Sequence, residues 1–146
     1  MKKIFLILIV FTLVLFSCET DFDVNAEWQE TTVVFGLLDN AKDIQYVKIN
    51  KAFLGEGDAL EMASISDSVN FNTNNIKVKM HEVVFSDTNW SINLTDTILD
   101  KDNGLFGTDN NIVYYFKTSD ISFNNNKKYV LTIENNESDS FVSAET

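Results

Sequence analysis

An antiparallel all-β sandwich is the fold this sequence predicts from Thr31 onward. Three observations predict it. Short runs of β-branched and aromatic residues recur along the chain, several of them alternate strictly between apolar and polar residues, and Asn-, Asp- and Gly-bearing turn signals separate them. Alternation at period two turns one row of side chains inward and the other to water, the pattern of a half-buried strand and not of a helix.

Thr31 to Leu38 reads as the first strand, and Asp39-Asn40 as the turn after it. Gln45 to Lys51 is the second, with Val47 and Ile49 on one face and Lys48 and Asn50 on the other. Gly55 to Asn70 interrupts the pattern. Gly55-Glu56-Gly57 breaks the strand, and Asp58 stands where it would cap a short helix carrying Leu60, Met62 and Ala63. Helical spacing is loose there, so the stretch reads as a loop with one helical turn. In the third strand Ile76, Val78 and Met80 alternate with Lys77, Lys79 and His81; in the fourth, Trp90, Ile92 and Leu94 alternate with Ser91, Asn93 and Thr95. Asn103-Gly104 marks a turn before the compact aromatic run Ile112 to Lys117. Asn124 to Lys127 is the next turn. Tyr129, Leu131 and Ile133 then alternate with Val130, Thr132 and Glu134, and Asn135-Asn136 leads into a last short strand, Phe141 to Ala144. About seven short strands with frequent turns indicate a sandwich of immunoglobulin-like or transthyretin-like type.

Residues 1–17 read as an export signal. Met1-Lys2-Lys3 is a short positive start, and Ile4 to Phe16 is apolar apart from Thr12. That run is shorter than the roughly 20 residues a bilayer-crossing helix needs. It ends Leu15-Phe16-Ser17-Cys18, which resembles the lipobox cut between Ser17 and Cys18 by the lipoprotein signal peptidase; Phe16 is bulkier than usual at its position. The thiol of Cys18 takes a diacylglycerol thioether and its freed amine a further acyl chain. Two or three chains, at about 0.8 kcal/mol per buried methylene, hold a protein stably on a membrane. The chain is expected to divide into signal (1–17), lipidated Cys18 and tether (18–30) and sandwich (31–146), with the sandwich incomplete at its C-terminus if the chain is a fragment. Glu19-Thr20-Asp21-Phe22-Asp23 looks like the surface-export signal of Bacteroidota lipoproteins, favouring the cell surface over the periplasmic side of the outer membrane; the alternative is a plain acidic linker.

With 11 Lys, no Arg and 22 Asp plus Glu, the net charge is −11. A surface that acidic repels nucleic acid and anionic head groups. The single Cys excludes an intrachain disulfide. His81 is the only His and falls on the polar side of its strand, so a transition-metal site is not expected. No Gly-x-Ser-x-Gly elbow is present. Asp100-Lys101-Asp102-Asn103-Gly104 resembles the start of a calcium loop to which Asp109 would add a carboxylate, but it lacks EF-hand spacing, and a solvated hairpin turn is the favoured reading. Asp67-Ser68-Val69 and Asp96-Thr97-Ile98 resemble the short acceptor motif for O-glycosylation in Bacteroidota, which makes Ser68 and Thr97 candidate modification sites. Trp28, Trp90, Tyr114, Tyr115 and Phe116 read either as a sugar-stacking platform or, as aromatics in a sandwich usually are, as core.

The stretches Val34-Phe35-Gly36-Leu37-Leu38-Asp39 and Ile44 to Gly55 resemble the opening of a domain of unknown function in Bacteroidota lipoproteins. Tyr129 to Ile133, followed by Val142 to Thr146, is similar to that family's next strand pair. The resemblance implies an envelope lipoprotein often found beside TonB-dependent outer-membrane transporters, with no catalytic residues and no cofactor to carry over. Members are typically longer, so the chain is expected to be an amino-terminal piece or one domain of a split protein. Two functions follow as expectations. The first is a non-enzymatic binding or accessory module at the outer membrane, working with such a transporter or another envelope protein. The alternative is a glycan-processing or other hydrolase using Glu56, Asp58 or Glu61, whose required separation a sequence cannot supply.

Overall fold

In a computed structural model, described for residues 31–52, 59–100, 110–121, 123–124 and 126–146, eight strands form two antiparallel four-stranded sheets. They are β1 (Thr31–Gly36), β2 (Ile44–Ala52), β3 (Ile76–Val84), β4 (Asp87–Asn93), β5 (Thr95–Ile98), β6 (Ile112–Lys117), β7 (Lys128–Asn135) and β8 (Ser140–Glu145). Sheet A runs β1-β2-β6-β5 and sheet B runs β4-β3-β7-β8. This is the immunoglobulin order, an ABED sheet against a CFG sheet lengthened by one strand beside C. The sandwich is as the alternation predicted, and strand order decides between the two types left open.

The core lies between the central strands. Val47 and Ile49 of β2, Ile76, Val78 and Met80 of β3, Tyr114 and Phe116 of β6, and Tyr129, Leu131 and Ile133 of β7 form one buried cluster with Phe71 and Leu94. These are the apolar positions of the alternating runs, so each central strand buries the row its sequence marks.

Two expectations need correction. The fourth run, read as one strand from Trp90 to Thr95, is two strands in different sheets. β4 ends at Asn93, β5 begins at Thr95, and Leu94 between them is buried and donates its N–H to Val78 O at 2.8 Å. Its apolar side chain belongs inside on either sheet, so the alternation runs through the crossing unmarked. The 55–70 stretch holds more helix than one turn: α1 (Ala59–Ser64) and α2 (Ser66–Val69) follow each other directly. The cap that sequence assigned to Asp58, and the Asn103-Gly104 turn, lie outside the described residues. Asn50 donates from Nδ2 to Val69 O at 2.8 Å and to Asn70 Oδ1 at 3.2 Å, which seats α2 against β2.

Polar side chains complete the connections. Gln45 is buried, donating to Asp39 O at 2.7 Å and Lys42 O at 2.9 Å and accepting the Asp39 N–H, so it closes the β1–β2 turn from inside. At the start of β7, Tyr129 is buried with its ring stacked on Phe123 at 5.0 Å. Its hydroxyl accepts the Asn124 N–H at 2.8 Å and donates to the Asn124 carbonyl at 3.3 Å. That is the tyrosine corner of immunoglobulin-type sandwiches. Between β3 and β4, Val84 pairs with Asp87 across the two-residue loop Phe85-Ser86, whose φ values of 49° and 75° define a type I′ turn without its favoured Asn-Gly.

Candidate functional site

The two outer faces of the sandwich differ in chemistry. On sheet B the outward row carries Lys77, Lys79 and His81 on β3 and Thr132 and Glu134 on β7, with ion pairs Lys79–Glu134 at 3.5 Å and Lys128–Glu145. This is an ordinary solvated face, and exposed pairs of this kind contribute little.

On sheet A the register Tyr46↔Tyr115↔Thr95 fixes the outward row, because Gln45, Val47, Tyr114 and Phe116 beside it are buried. The row comprises Thr31, Val33 and Phe35 on β1, Ile44, Tyr46, Lys48, Asn50 and Ala52 on β2, Val113, Tyr115 and the exposed Lys117 on β6, and Thr95 and Thr97 on β5. Phe35 is 76 % exposed, Leu37 just beyond the strand 80 %, Val33 48 % and Tyr46 39 %. The Tyr46 and Tyr115 rings lie 6.2 Å apart. Val113 is buried yet stands outside the core cluster, as an outward residue would. Lys48 reaches along the face to Asn111 Oδ1 at 3.1 Å and Ile112 O at 2.8 Å, so its charge is pinned to the backbone. No Asp or Glu occupies an outward position on these four strands, although the chain holds 22 of them. The result is an apolar, aromatic, carboxylate-free face on a strongly acidic protein.

A second cluster sits at the β4 edge. Glu82, at an inward position of β3 opposite Trp90, is 1 % exposed. Its Oε1 accepts from Asn89 Nδ2 at 2.9 Å, and its Oε2 from Trp90 Nε1 at 2.5 Å and Lys127 Nζ at 2.9 Å. Lys127's hydrogen bond is the largest influence, holding the carboxyl below its ordinary value; burial pushes it up without prevailing, and Asn89 and Trp90 add to the lowering. An ionised carboxylate with both oxygens engaged is a clamp, not a proton donor or nucleophile. Beside it is a shallow concavity of about 430 Å³ lined by Trp90, Ile92, Asp120, Ile121 and Lys127, among others.

His81 points to the outer side of sheet B as expected, but it is half-buried, with Nε2 on Thr132 Oγ1 at 2.8 Å. Sequence placed it on the surface; the neighbouring strands β4 and β7 flank it instead. Burial first, then Lys79, lower its pKa, and Glu134 opposes them.

The residues singled out by sequence are scattered. Ser17, Cys18, Trp28, Glu56, Asp58 and residues 101–109 of the calcium-like loop lie outside the described residues. Asp100 is exposed, and among the described residues no three His, Cys, Asp or Glu stand together to hold a metal. Glu61 is exposed on α1. Ser68 is half-buried in α2, and Thr97 is half-buried on β5. Tyr114 and Phe116 belong to the core; burial, with Asp96 opposite, raises the Tyr114 hydroxyl to about 12. Trp90 packs against the core and lies 5.9 Å from Tyr129, while Tyr115 joins the outer face. Sequence reasoning missed Phe35, Leu37 and Tyr46 as a face. Its signal was the absence of Asp and Glu between Thr31 and Leu38.

The fold and this face define an immunoglobulin-type β-sandwich with one apolar outer surface. No family model, curated protein or solved structure matches the chain.

Proposed function

We propose that the chain is a non-enzymatic binding or accessory module. In this reading it is held at the outer membrane by lipid on Cys18, faces the cell surface, and works with a TonB-dependent transporter or another envelope protein. The observation that carries the contact role is the outward face of sheet A, where Val33, Phe35, Leu37 and Tyr46 meet water together and no carboxylate intervenes. Contiguous exposed apolar side chains of this kind mark interaction surfaces. The address rests on the sequence Leu15-Phe16-Ser17-Cys18 behind its apolar run.

Two substitutions in the full-length chain test this. Cys18→Ala is expected to release the protein from membranes and abolish palmitate labelling; retention in the membrane fraction overturns the lipid anchor. Tyr46→Asp is expected to leave the protein folded by circular dichroism and in the membrane, with a lowered melting temperature, while co-isolation of an envelope protein falls at least tenfold; Tyr46→Thr, which keeps strand propensity, is the control for stability. Equal recovery by wild type and Tyr46→Asp, or no envelope protein with either, overturns the contact reading.

A further inference from the structure

Each sheet has two edge strands, and an unpaired edge invites another strand unless something blocks it. Three of the four edges here are blocked. β4 carries Asp87 and a register irregularity opposite Glu82/Val83. β5 is four residues long and contains Asp96. β8 carries Glu145, paired to Lys128. β1 has no such device: its sequence Thr-Thr-Val-Val-Phe-Gly is uncharged and lacks proline, and it pairs with β2 over six residues without a bulge. Among the described residues nothing lies along its other side in the sheet. On the outward row of sheet A the exposure of large apolar side chains falls from Phe35 at 76 % to Tyr46 at 39 % one strand further in; the opposite edge exposes Ile98 at 63 %, on a strand of only four residues.

We infer that the occupant of this edge is a second copy of the same chain, with the two β1 strands antiparallel about a two-fold axis through Val34. Three features select a copy of itself. An isologous contact must be self-complementary. About Val34, Val33 of each copy stands directly opposite Phe35 of the other, twice, on the outward side. Aromatic against β-branched is a favourable cross-strand pairing, and no charge opposes a like charge. Inside, Thr32 meets Gly36, so no two large side chains compete there. The charge balance makes the same selection: two chains of net charge −11 repel over most of their surfaces, and β1 with its face is where neither presents a carboxylate. The pair forms one eight-stranded sheet. Because the axis is perpendicular to it, both outward faces lie on one side, and the two Tyr46–Tyr115 pairs become a single platform. The use of that platform rests on the contact reading above; the pairing does not.

The test places the photo-crosslinker p-benzoylphenylalanine at Phe35 in the full-length chain, co-expressed in membranes as two differently tagged copies. Irradiation is expected to give an adduct of twice the chain's mass carrying both tags. Its yield in solubilised membranes is expected to rise at least severalfold as salt screens the net repulsion, from about 20 mM to about 300 mM. Val33→Lys, at a half-exposed position, is expected to cut the adduct at least tenfold without moving the melting temperature. An adduct with another protein or a lipid, an internal crosslink to residues 19–30, no adduct, or a yield indifferent to Val33→Lys overturns self-pairing. The same crosslinker at Tyr46 separates the two ideas. Capture of an envelope protein at Tyr46 without a two-tag adduct at Phe35 keeps the contact face and removes the dimer; the reverse keeps the dimer and removes the envelope partner.

Discussion

Replacing Tyr129 by Phe removes one oxygen from the corner before β7 and nothing else. The ring keeps its stacking on Phe123 at 5.0 Å and its contact with Trp90 at 5.9 Å. What is lost is the hydroxyl's acceptance of the Asn124 N–H at 2.8 Å and its longer donation to the Asn124 carbonyl at 3.3 Å. A typical intramolecular hydrogen bond contributes about 1 kcal/mol net, and the 3.3 Å bond stands at the weak end, so the expected cost is about 1.5 kcal/mol. For a domain of this size, about 4 °C of melting temperature goes with each kcal/mol, which places the variant about 6 °C below wild type. Tyr129→Ala also empties the ring's space in the core and is expected to cost about 4 kcal/mol. Urea titrations with a common slope measure both. A Tyr129→Phe variant within about 0.3 kcal/mol of wild type would show that the corner's bonds merely replace equivalent bonds to water, and the reasoning would fail.

In the β3–β4 turn, Phe85→Asn with Ser86→Gly is expected to stabilise by about 1–2 kcal/mol, because both positions hold positive φ and Phe85, 99 % exposed, gives up no buried area; a thermal melt with no gain contradicts the turn assignment. Ile49→Ala in the centre of the core is expected to destabilise by about 3–4 kcal/mol in denaturant titration. Acid should act through two groups. Glu82's folded pKa lies below its ordinary value, so its contribution is complete above the carboxylate range and is lost as pH falls through the folded value; Glu82→Gln should flatten that acid limb. His81's folded pKa lies below 6.5, so the unfolded chain takes the proton first and stability falls as pH drops below about 6.5; His81→Gln, scanned the same way, should remove that slope. An intact mass with no added sugar would rule out glycosylation of Ser68 and Thr97.

Much of the fold was legible because burial is one-sided in β2, β3 and β7: one row must be apolar and the other need not be, and the alternation records it. β1 was legible as a strand but not as a face, since Val33, Val34 and Phe35 are apolar on both sides and only tertiary structure decides which side meets water. Leu94 hid a change of sheet because an inward leucine suits both. Glu82 occupies the fourth inward position after Ile76, Val78 and Met80, where a carboxylate reads as the end of a strand. Its partner Lys127 is 45 residues away, so no local pattern announces the pair. The tyrosine corner was equally silent, because its bonds go to backbone groups that every residue carries.

Among the described residues β1 is also the strand that a pull from the N-terminal side would act on first. Tension arrives at Thr31, whose partner is Ala52, and the ladder then continues to Gly36–Val47. Pulled away from the sheet at that end, the pairs separate in succession, so each bears the force alone instead of six sharing it. β2 stays zipped to β6 while this happens. Under such a pull β1 peels at low force, and Val33 and Phe35 leave with it. A contact made through this strand would be strongest without tension and lost under stretch.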